Sequence, residues 1–465
     1  MIPVRGYKGC FVGVLGLGLS GVATAKALES GGSYPLSWDD EPLVRLEAEK
    51  SGVETFDLSN DSILSKLSIL IVSPGISHLY PEPHSIVTLA LKKGIVIDND
   101  ISLFFRSFAL ESWSHFQKIP KVICVTGSNG KSTTTGLIEH ILIKNDIPVE
   151  SGGNIGKAVL SLKPGKDGEV KVLEISSYQA DLARSLQPDI AVFLNFSLDH
   201  SERHAGKGGY FSAKSRLFTM GGPDRCIIGV DEIEGLFLFN VMREEFQSAE
   251  PVISFSVEST LKGSSWSIFM KKGFLVEWRN GRQVAAIDLR EKLNLSGKHN
   301  YQNICAAYAS CRSLGLAPKN IATALDTFKG LPHRVQILGR KRGVLFVNDS
   351  KATNCVSASK SLESFTKIHW IVGGEEKYPG IESLIPINDN VKGIYLIGHS
   401  EDSFSRKLDT IKHVKCKTLE KAVEVAFKSS ESGDTILLAP ACSSFDQFNS
   451  FEERGNRFIE LFEKI

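Results

Sequence analysis

The sequence predicts an α/β chain of three domains built mainly on parallel sheets, and three observations carry that reading. Short apolar runs recur along the whole chain: CFVGVLGLG, SILIVSPG, KVICVTG, VKVLEIS, DIAVFLNFS, VLFVND, HWIVGG, GIYLIG and DTILLAPA. Continuous Val, Ile and Leu without alternation is the pattern of a strand buried on both faces, as in a parallel sheet covered by helices. Each run ends in a Gly-rich or polar turn and leads into a helical pattern, and this arrangement restarts three times. Finally, 465 residues at roughly 100–200 per domain suggest two to four domains. Boundaries fall near Glu111 and near Gly330, giving domains of 1–110, 111–330 and 331–465. The stretch from Asp231 to Leu295 alternates polar and apolar residues, so the central domain is expected to carry an antiparallel side sheet.

Composition removes several classes of function. Lys and Arg total 54 against 53 for Asp and Glu, a net charge of +1, so no basic footprint exists for nucleic acid or an anionic membrane. The eight cysteines are scattered with no CxxC pair, which fits buried free thiols in a reducing, cytoplasmic setting. The N-terminus has no signal-peptide layout. Gly9–Ala25 is uncharged, but its five glycines, Ser20 and Thr24 make it too polar for a spanning helix. No sustained heptad is visible, and a monomer is expected.

Within the central domain, Thr126-Gly127-Ser128-Asn129-Gly130-Lys131-Ser132-Thr133 follows the strand KVICV and precedes a helical pattern. Glycines let backbone amides turn inward on an anion, a Lys reaches β/γ-phosphates, and a Ser/Thr hydroxyl at the helix start can meet Mg²⁺. The general pattern opens on Gly, where this chain has Val125, so the loop is a variant. ATP is the expected ligand.

Near the N-terminus, Gly16-Leu17-Gly18-Leu19-Ser20-Gly21 follows the strand FVGVL, with Asp39 and Asp40 about twenty residues on. This Rossmann-like turn suits a dinucleotide or a related diphosphate at a helix N-terminus. Which of the two acids serves the ligand is open. Ser73-Pro74-Gly75-Ile76 closes the strand SILIV, so two strand ends could face one ligand.

Further polar residues end strands in the middle region. Glu174 ends KVLE, followed by Ser176, Ser177 and Gln179, and Asp199-His200 follow DIAVFLNF. An acid at such a strand end, downstream of a phosphate loop, is placed for Mg²⁺. His200 and His204 are four apart, but H-S-E-R-H lacks the H-E-x-x-H arrangement of a zinc site. An NAD-dependent dehydrogenase, a related ATP-dependent ligase and a nucleotide-gated binding module are the competing readings.

TGSNGKST, GGNIG (Gly152–Gly156), EISSYQ, DHSERH with YFSAKSRLF, LSGKHN, GLPHR (Gly330–Arg334), NDSKATN (Asn348–Asn354) and PACSSFDQF…FEERG occur in that order. Together they resemble the Mur ligases, bacterial ATP-dependent amide-bond ligases that build the peptidoglycan stem peptide. GLGLSG, SPGI, NDSKATN and SSFDQF…ERG most resemble the branch that adds D-glutamate to UDP-N-acetylmuramoyl-L-alanine.

The resemblance implies an acyl-phosphate route and assigns residues to it. Lys131, Glu174, His200 and Lys214 would be catalytic. Gly127 to Thr133 would bind ATP together with Asn300, His333, Arg334 and Asp349. Ser132, Glu174, His200 and Lys214 would hold two Mg²⁺ ions, with Lys214 as a CO₂-derived carbamate. Leu19, Ser20, Asp39, Ser73, Pro74, Gly75, Asn154 and Gln179 would bind the UDP-substrate. Lys351, Thr353, Lys377, Ser444, Phe445 and Phe451 would bind D-glutamate. The C-terminal domain is expected to be Rossmann-like as well, and ATP to lie between it and the central domain.

Overall fold

The structure is a computed structural model that describes residues 1–111, 113–197, 201–246, 250–263, 265–290, 298–376, 380–385, 389–408 and 412–465. His200 and Lys377, both expected site residues, lie outside the described residues. The chain forms two compact units, Met1–Phe328 and Lys329–Ile465. Among the described residues there are three sheets, the first two in the first unit.

The first sheet has strands β1 (Phe11–Leu15), β2 (Tyr34–Trp38), β3 (Ile69–Val72) and β4 (Val96–Asp98) in the order β2-β1-β3-β4, all parallel. β1 and β3 are the apolar runs of the sequence; β3 is buried throughout and β1 is buried from Val12 to Leu15, with Phe11 exposed at its start. The helix Leu19–Ser30 starts directly from the glycine turn after β1. A second helix, Asp100–Ala109, follows β4 and is capped by Asn99, whose side chain accepts from Ser102 N at 3.1 Å.

The second sheet has nine strands: β5 (Lys121–Thr126), β6 (Val149–Gly153), β7 (Val170–Glu174), β8 (Ile190–Phe193), β9 (Arg225–Gly229), β10 (Val252–Ser256), β11 (Ser267–Lys271), β12 (Phe274–Arg279) and β13 (Arg282–Asp288). Their order is β13-β12-β11-β10-β9-β8-β5-β7-β6. From β6 to β11 every pairing is parallel, and β11-β12-β13 is an antiparallel meander. The alternating segment of the sequence therefore continues the edge of the same sheet. Its outermost strand, β13, is largely exposed and carries Arg282 and Gln283, which discourage pairing with another chain.

One face of this sheet packs on the helix Lys131–Ile143 and on the helix Lys298–Ser313, through Ile123, Val125, Leu137, Ile138, Ile304 and Ala307. The other face shares a continuous core with the first sheet, joining Val12, Val14 and Phe104 to Leu173 and Phe193. At roughly 25 cal/mol per Å² of apolar surface removed from water, such a core is the main force holding β5, β7 and β8 in register.

The third sheet has strands β14 (Gln336–Lys341), β15 (Val344–Asn348), β16 (Ile368–Gly373), β17 (Val391–Ile397), β18 (His413–Lys417) and β19 (Thr435–Leu438) in the order β14-β15-β19-β16-β17-β18. It is parallel except at β14-β15. Asn354 caps the helix Cys355–Ser364 and Ser450 caps the helix Phe451–Lys464. The eight cysteines are free, and all but Cys10 are buried.

Candidate active site

The loop after β5 is built for an anion. Gly127 and Gly130 take φ of +151° and +83°, which side chains rarely tolerate. A Cβ on Gly130 would lie 2.1 Å from Asn303 Oδ1. The helix Lys131–Ile143 begins at Gly130 with no side-chain cap, leaving its first N–H groups for a ligand.

Two lysines converge on this loop. Lys131 Nζ donates to the carbonyls of Gly127 (2.9 Å) and Ser128 (3.0 Å). Lys214, on the helix Lys207–Thr219 and 1% exposed, also donates to Gly127 O at 2.9 Å and lies 4.4 Å from the Tyr210 ring centroid. A loop that turns a carbonyl toward two cations in a buried setting has strong local positive charge, despite a net charge of +1 for the whole chain.

Glu174 stands beside the same loop because β7 neighbours β5, with Val125 paired to Glu174. The side chain is buried. Its Oε1 accepts from Asn154 Nδ2 at 2.9 Å, while its Oε2 is buried with no hydrogen-bond partner. A buried carboxylate oxygen left over in this way fits a divalent cation. Among the described residues no group of three or more His, Cys, Asp or Glu forms a metal cluster; the expected set includes His200, outside them, and a modified lysine. Ser132, at the helix start, is buried next to Lys131.

The residues that shape the loop were not foreseen. Asn195, just after β8, accepts from Asn129 N through Oδ1 (2.9 Å) and donates to Asn129 O (3.2 Å) and to Gln302 Oε1 (2.7 Å). Asn303 accepts from Thr134 Oγ1 at 3.3 Å. The available signal was position: a polar residue directly after a buried apolar strand, the rule that did find Glu174.

In the first sheet, Leu19 and Ser20 open the helix Leu19–Ser30, and Leu19 is 70% exposed, so it is free to meet a ligand. Asp39 and Asp40 have separate tasks. Asp39 accepts from Leu17 N (2.7 Å) and Glu41 N (3.0 Å), which holds the glycine turn. Asp40 accepts from Trp38 Nε1 (2.9 Å) and meets His84 Nε2 at 2.8 Å. Ser73 Oγ donates to Gly16 O at 2.7 Å, tying the Ser73–Ile76 turn to the glycine turn. Gln179 is buried and forms a capping box with Ser176, its Oε1 accepting from Ser176 N at 3.0 Å; the S-x-x-Q pattern signals that role in the sequence.

In the second unit, Asp349 is buried, accepts from Val335 N (3.1 Å) and from the Ser361 hydroxyl, and has its pKa pushed up by burial. His333 lies 3.1 Å from Asn348 Nδ2 through Nδ1, with burial lowering its pKa. Lys351 Nζ sits 5.7 Å from the Phe451 ring centroid. Arg454 is buried and donates to Ser350 Oγ, Ser350 O, Cys442 O and Ser443 O. It thereby joins the turn carrying Lys351 and Thr353 to the turn carrying Ser444 and Phe445. Phe445 is 69% exposed, an apolar ring set outside the core. Asn300 lies near the start of the helix Lys298–Ser313 and Arg334 is half-buried.

A phosphate loop with converging lysines and an unsatisfied strand-end acid, on an α/β fold, defines a nucleotide-dependent phosphoryl-transfer class of protein. Residues 125–311 match the Mur ligase middle domain and residues 333–442 the Mur ligase glutamate ligase domain. The chain is 54% identical over 460 residues to the UDP-N-acetylmuramoylalanine–D-glutamate ligase of Cereibacter sphaeroides, covering 99% of each chain. It is 53% identical over 460 residues to the enzyme of the same description from Roseobacter denitrificans, again covering 99% of each. A crystal structure of a UDP-N-acetylmuramate–alanine ligase from Thermotoga maritima shares the fold, with a TM-score of 0.54 at 18% identity over 98% of this chain and 99% of that one. The chain belongs to the Mur ligase family, whose members are amide-forming ligases dependent on ATP and Mg²⁺.

Proposed function

We propose that this chain joins D-glutamate to UDP-N-acetylmuramoyl-L-alanine with ATP, in the cytoplasm, as a step of peptidoglycan precursor synthesis. The activity of the relatives supports this reading. The observation that carries the chemistry is Lys131 on the carbonyls of the phosphate loop beside Glu174, whose second carboxylate oxygen is left unpaired.

In this reading the terminal carboxylate of the UDP-substrate attacks the γ-phosphorus of ATP and ADP leaves. The amine of D-glutamate then attacks the acyl phosphate, loses its proton, and inorganic phosphate is expelled. Lys131 and the loop Gly127–Thr133 hold the phosphates and offset the charge gathered as two anions approach. Glu174, Ser132, His200 and Lys214, the last as a carbamate, would hold two Mg²⁺ ions. Bound Mg²⁺ supplies Lewis-acid screening of the phosphoryl oxygens. Asn300, His333, Arg334 and Asp349 are the proposed nucleotide contacts. Lys351, Thr353, Lys377, Ser444, Phe445 and Phe451 are those for D-glutamate, whose two carboxylates suit lysine ammoniums. Leu19, Ser20, Asp39, Ser73, Pro74, Gly75, Asn154 and Gln179 are proposed for the UDP-substrate, with Asp39 and Gln179 acting by holding turns in shape.

Three domains of 1–110, 111–330 and 331–465 would each serve one reactant, in a monomer. Among the described residues no helix is long and apolar enough to cross a membrane. The deciding measurement is phosphate release with ATP and UDP-N-acetylmuramoyl-L-alanine, with and without D-glutamate. Release that does not depend on D-glutamate, or depends on another amino acid instead, overturns the reading.

A further inference from the structure

We propose that Arg203 is a positioning residue that fixes the Ser73–Ile76 turn against the strand end bearing Glu174. It would thereby set where the reacting end of the UDP-substrate lies relative to the phosphoryl-transfer centre; the inference rests on the proposed UDP-substrate reading of that turn.

Arg203 lies on the short 3-10 helix Ser201–His204. Its guanidinium donates to three successive carbonyls of the turn, Ile76 O at 3.0 Å, Gly75 O at 3.3 Å and Pro74 O at 3.5 Å. It also lies 4.6 Å from the ring centroid of Tyr178, four residues after Glu174. Among the described residues it meets no carboxylate.

A planar fork of donors is suited to hold several peptide planes at once, which a point-charge ammonium does less well. The turn is fixed from its other end too, since Ser73 N donates to Leu15 O (2.9 Å) and Ser73 Oγ to Gly16 O. A continuous set of contacts therefore runs from the glycine turn through Ser73–Ile76 and Arg203 to Tyr178 and the Glu174 strand end. Its second anchor is His204, which meets Ser177 Oγ at 2.9 Å and Asp181 Oδ2 at 3.4 Å. The same Asp181 oxygen lies 3.5 Å from His78, just beyond the turn.

The test compares the full-length protein with Arg203→Met and Arg203→Lys. In Arg203→Met, amide hydrogen exchange at Ile76 and Ser77 should speed up about tenfold. The KM for UDP-N-acetylmuramoyl-L-alanine should rise about tenfold, with KM for ATP and D-glutamate within about twofold. Arg203→Lys should stay within about threefold of the Met variant, because the charge survives and the fork does not. Unchanged exchange overturns the clamp. Faster exchange with all three KM values unchanged overturns its part in the reaction. A uniform rise in every KM with a lowered Tm overturns it in favour of a general structural role. Full recovery in Arg203→Lys overturns it in favour of direct contact between the charge and the substrate. If the wild-type protein shows no D-glutamate-dependent phosphate release, the functional reading fails, while the exchange measurement still decides the clamp.

Discussion

The glycine turn after β1 and the glycine loop after β5 are the same device at the level of backbone, a buried parallel strand turning into a helix, yet they gather different amounts of charge. The β5 loop draws Lys131 and Lys214 onto one carbonyl and sets a buried, half-satisfied carboxylate beside them. Among the described residues no Lys or Arg side chain hydrogen-bonds the β1 turn Gly16–Gly21 itself: Arg45 donates to Asp39 O and Asp40 O, Arg203 to the neighbouring Ser73–Ile76 turn, and the Asp39 carboxylate is bound to Leu17 N. Behind it, Asp100 is buried with its pKa pushed up to about 6 by burial, outweighing the pull of the Ser20 hydroxyl. One region concentrates ionic groups and the other presents mainly backbone, which is the contrast that the proposed split between phosphoryl transfer and UDP-substrate binding requires.

The strongest way to break this comparison is to remove the charges of the β5 loop. Lys131→Ala or Glu174→Ala should lower turnover by about 10³-fold or more, while calorimetry finds the affinity for the UDP-substrate within about threefold of wild type. Loss of UDP-substrate binding in either variant would mean the two regions are not separate in function. Lys214→Ala should also abolish turnover, with partial recovery on adding bicarbonate or a short carboxylic acid; full activity without additive removes the carbamate role.

Changing the backbone of the β1 turn should do the reverse. A Cβ on Gly21 would lie 1.8 Å from Gly16 O, a backbone atom that cannot step aside, so Gly21→Ala should weaken UDP-substrate binding by about tenfold or more and lower Tm, with ATP binding kept. Asp100→Asn gives a smaller, pH-dependent effect. The folded carboxyl binds its proton more tightly than the unfolded one, near 3.9. Its contribution to stability is therefore full below about pH 4 and lost as pH rises to about 6. Relative to wild type, the Asn variant should gain up to about 2 kcal/mol between pH 4 and pH 7, read from urea midpoints. The smallest change in stability belongs to Gly18→Ala. A Cβ there meets nothing within 4 Å and φ is −66°, so Tm should hold while UDP-substrate affinity falls, if a diphosphate approaches that backbone.

Both glycine devices were legible in the sequence because each needs a local signature, glycines directly after an apolar run. Glu174 was legible for the same reason, ending such a run. Asn195 shared that strand-end position, but its bond to Asn129, 66 residues away, needed the fold; Gln302 and Asn303 were not legible, since they meet Asn195 and Thr134 from 107 and 169 residues away and each is an ordinary polar residue on its helix. The division of labour between Asp39 and Asp40 needed the fold of the turn, which alone shows that Leu17 N has claimed the first acid. Alternation between Asp231 and Leu295 revealed antiparallel pairing only for β11-β12-β13; the same stretch also holds the helix Ile233–Glu245 and β10, which pairs in parallel on both sides, because sheet order is a long-range choice that period-2 patterning does not encode.

The order of the nine strands bears on how this protein can change over generations. The phosphate loop, Glu174 and Asn195 all leave β5, β7 and β8, three adjacent strands, whereas β11, β12 and β13 form the far end of the sheet. A mutational scan should therefore find tolerance rising steadily from β8 toward β13, so that the meander can drift while the chemistry stays fixed, a gradient of evolutionary freedom drawn across a single sheet.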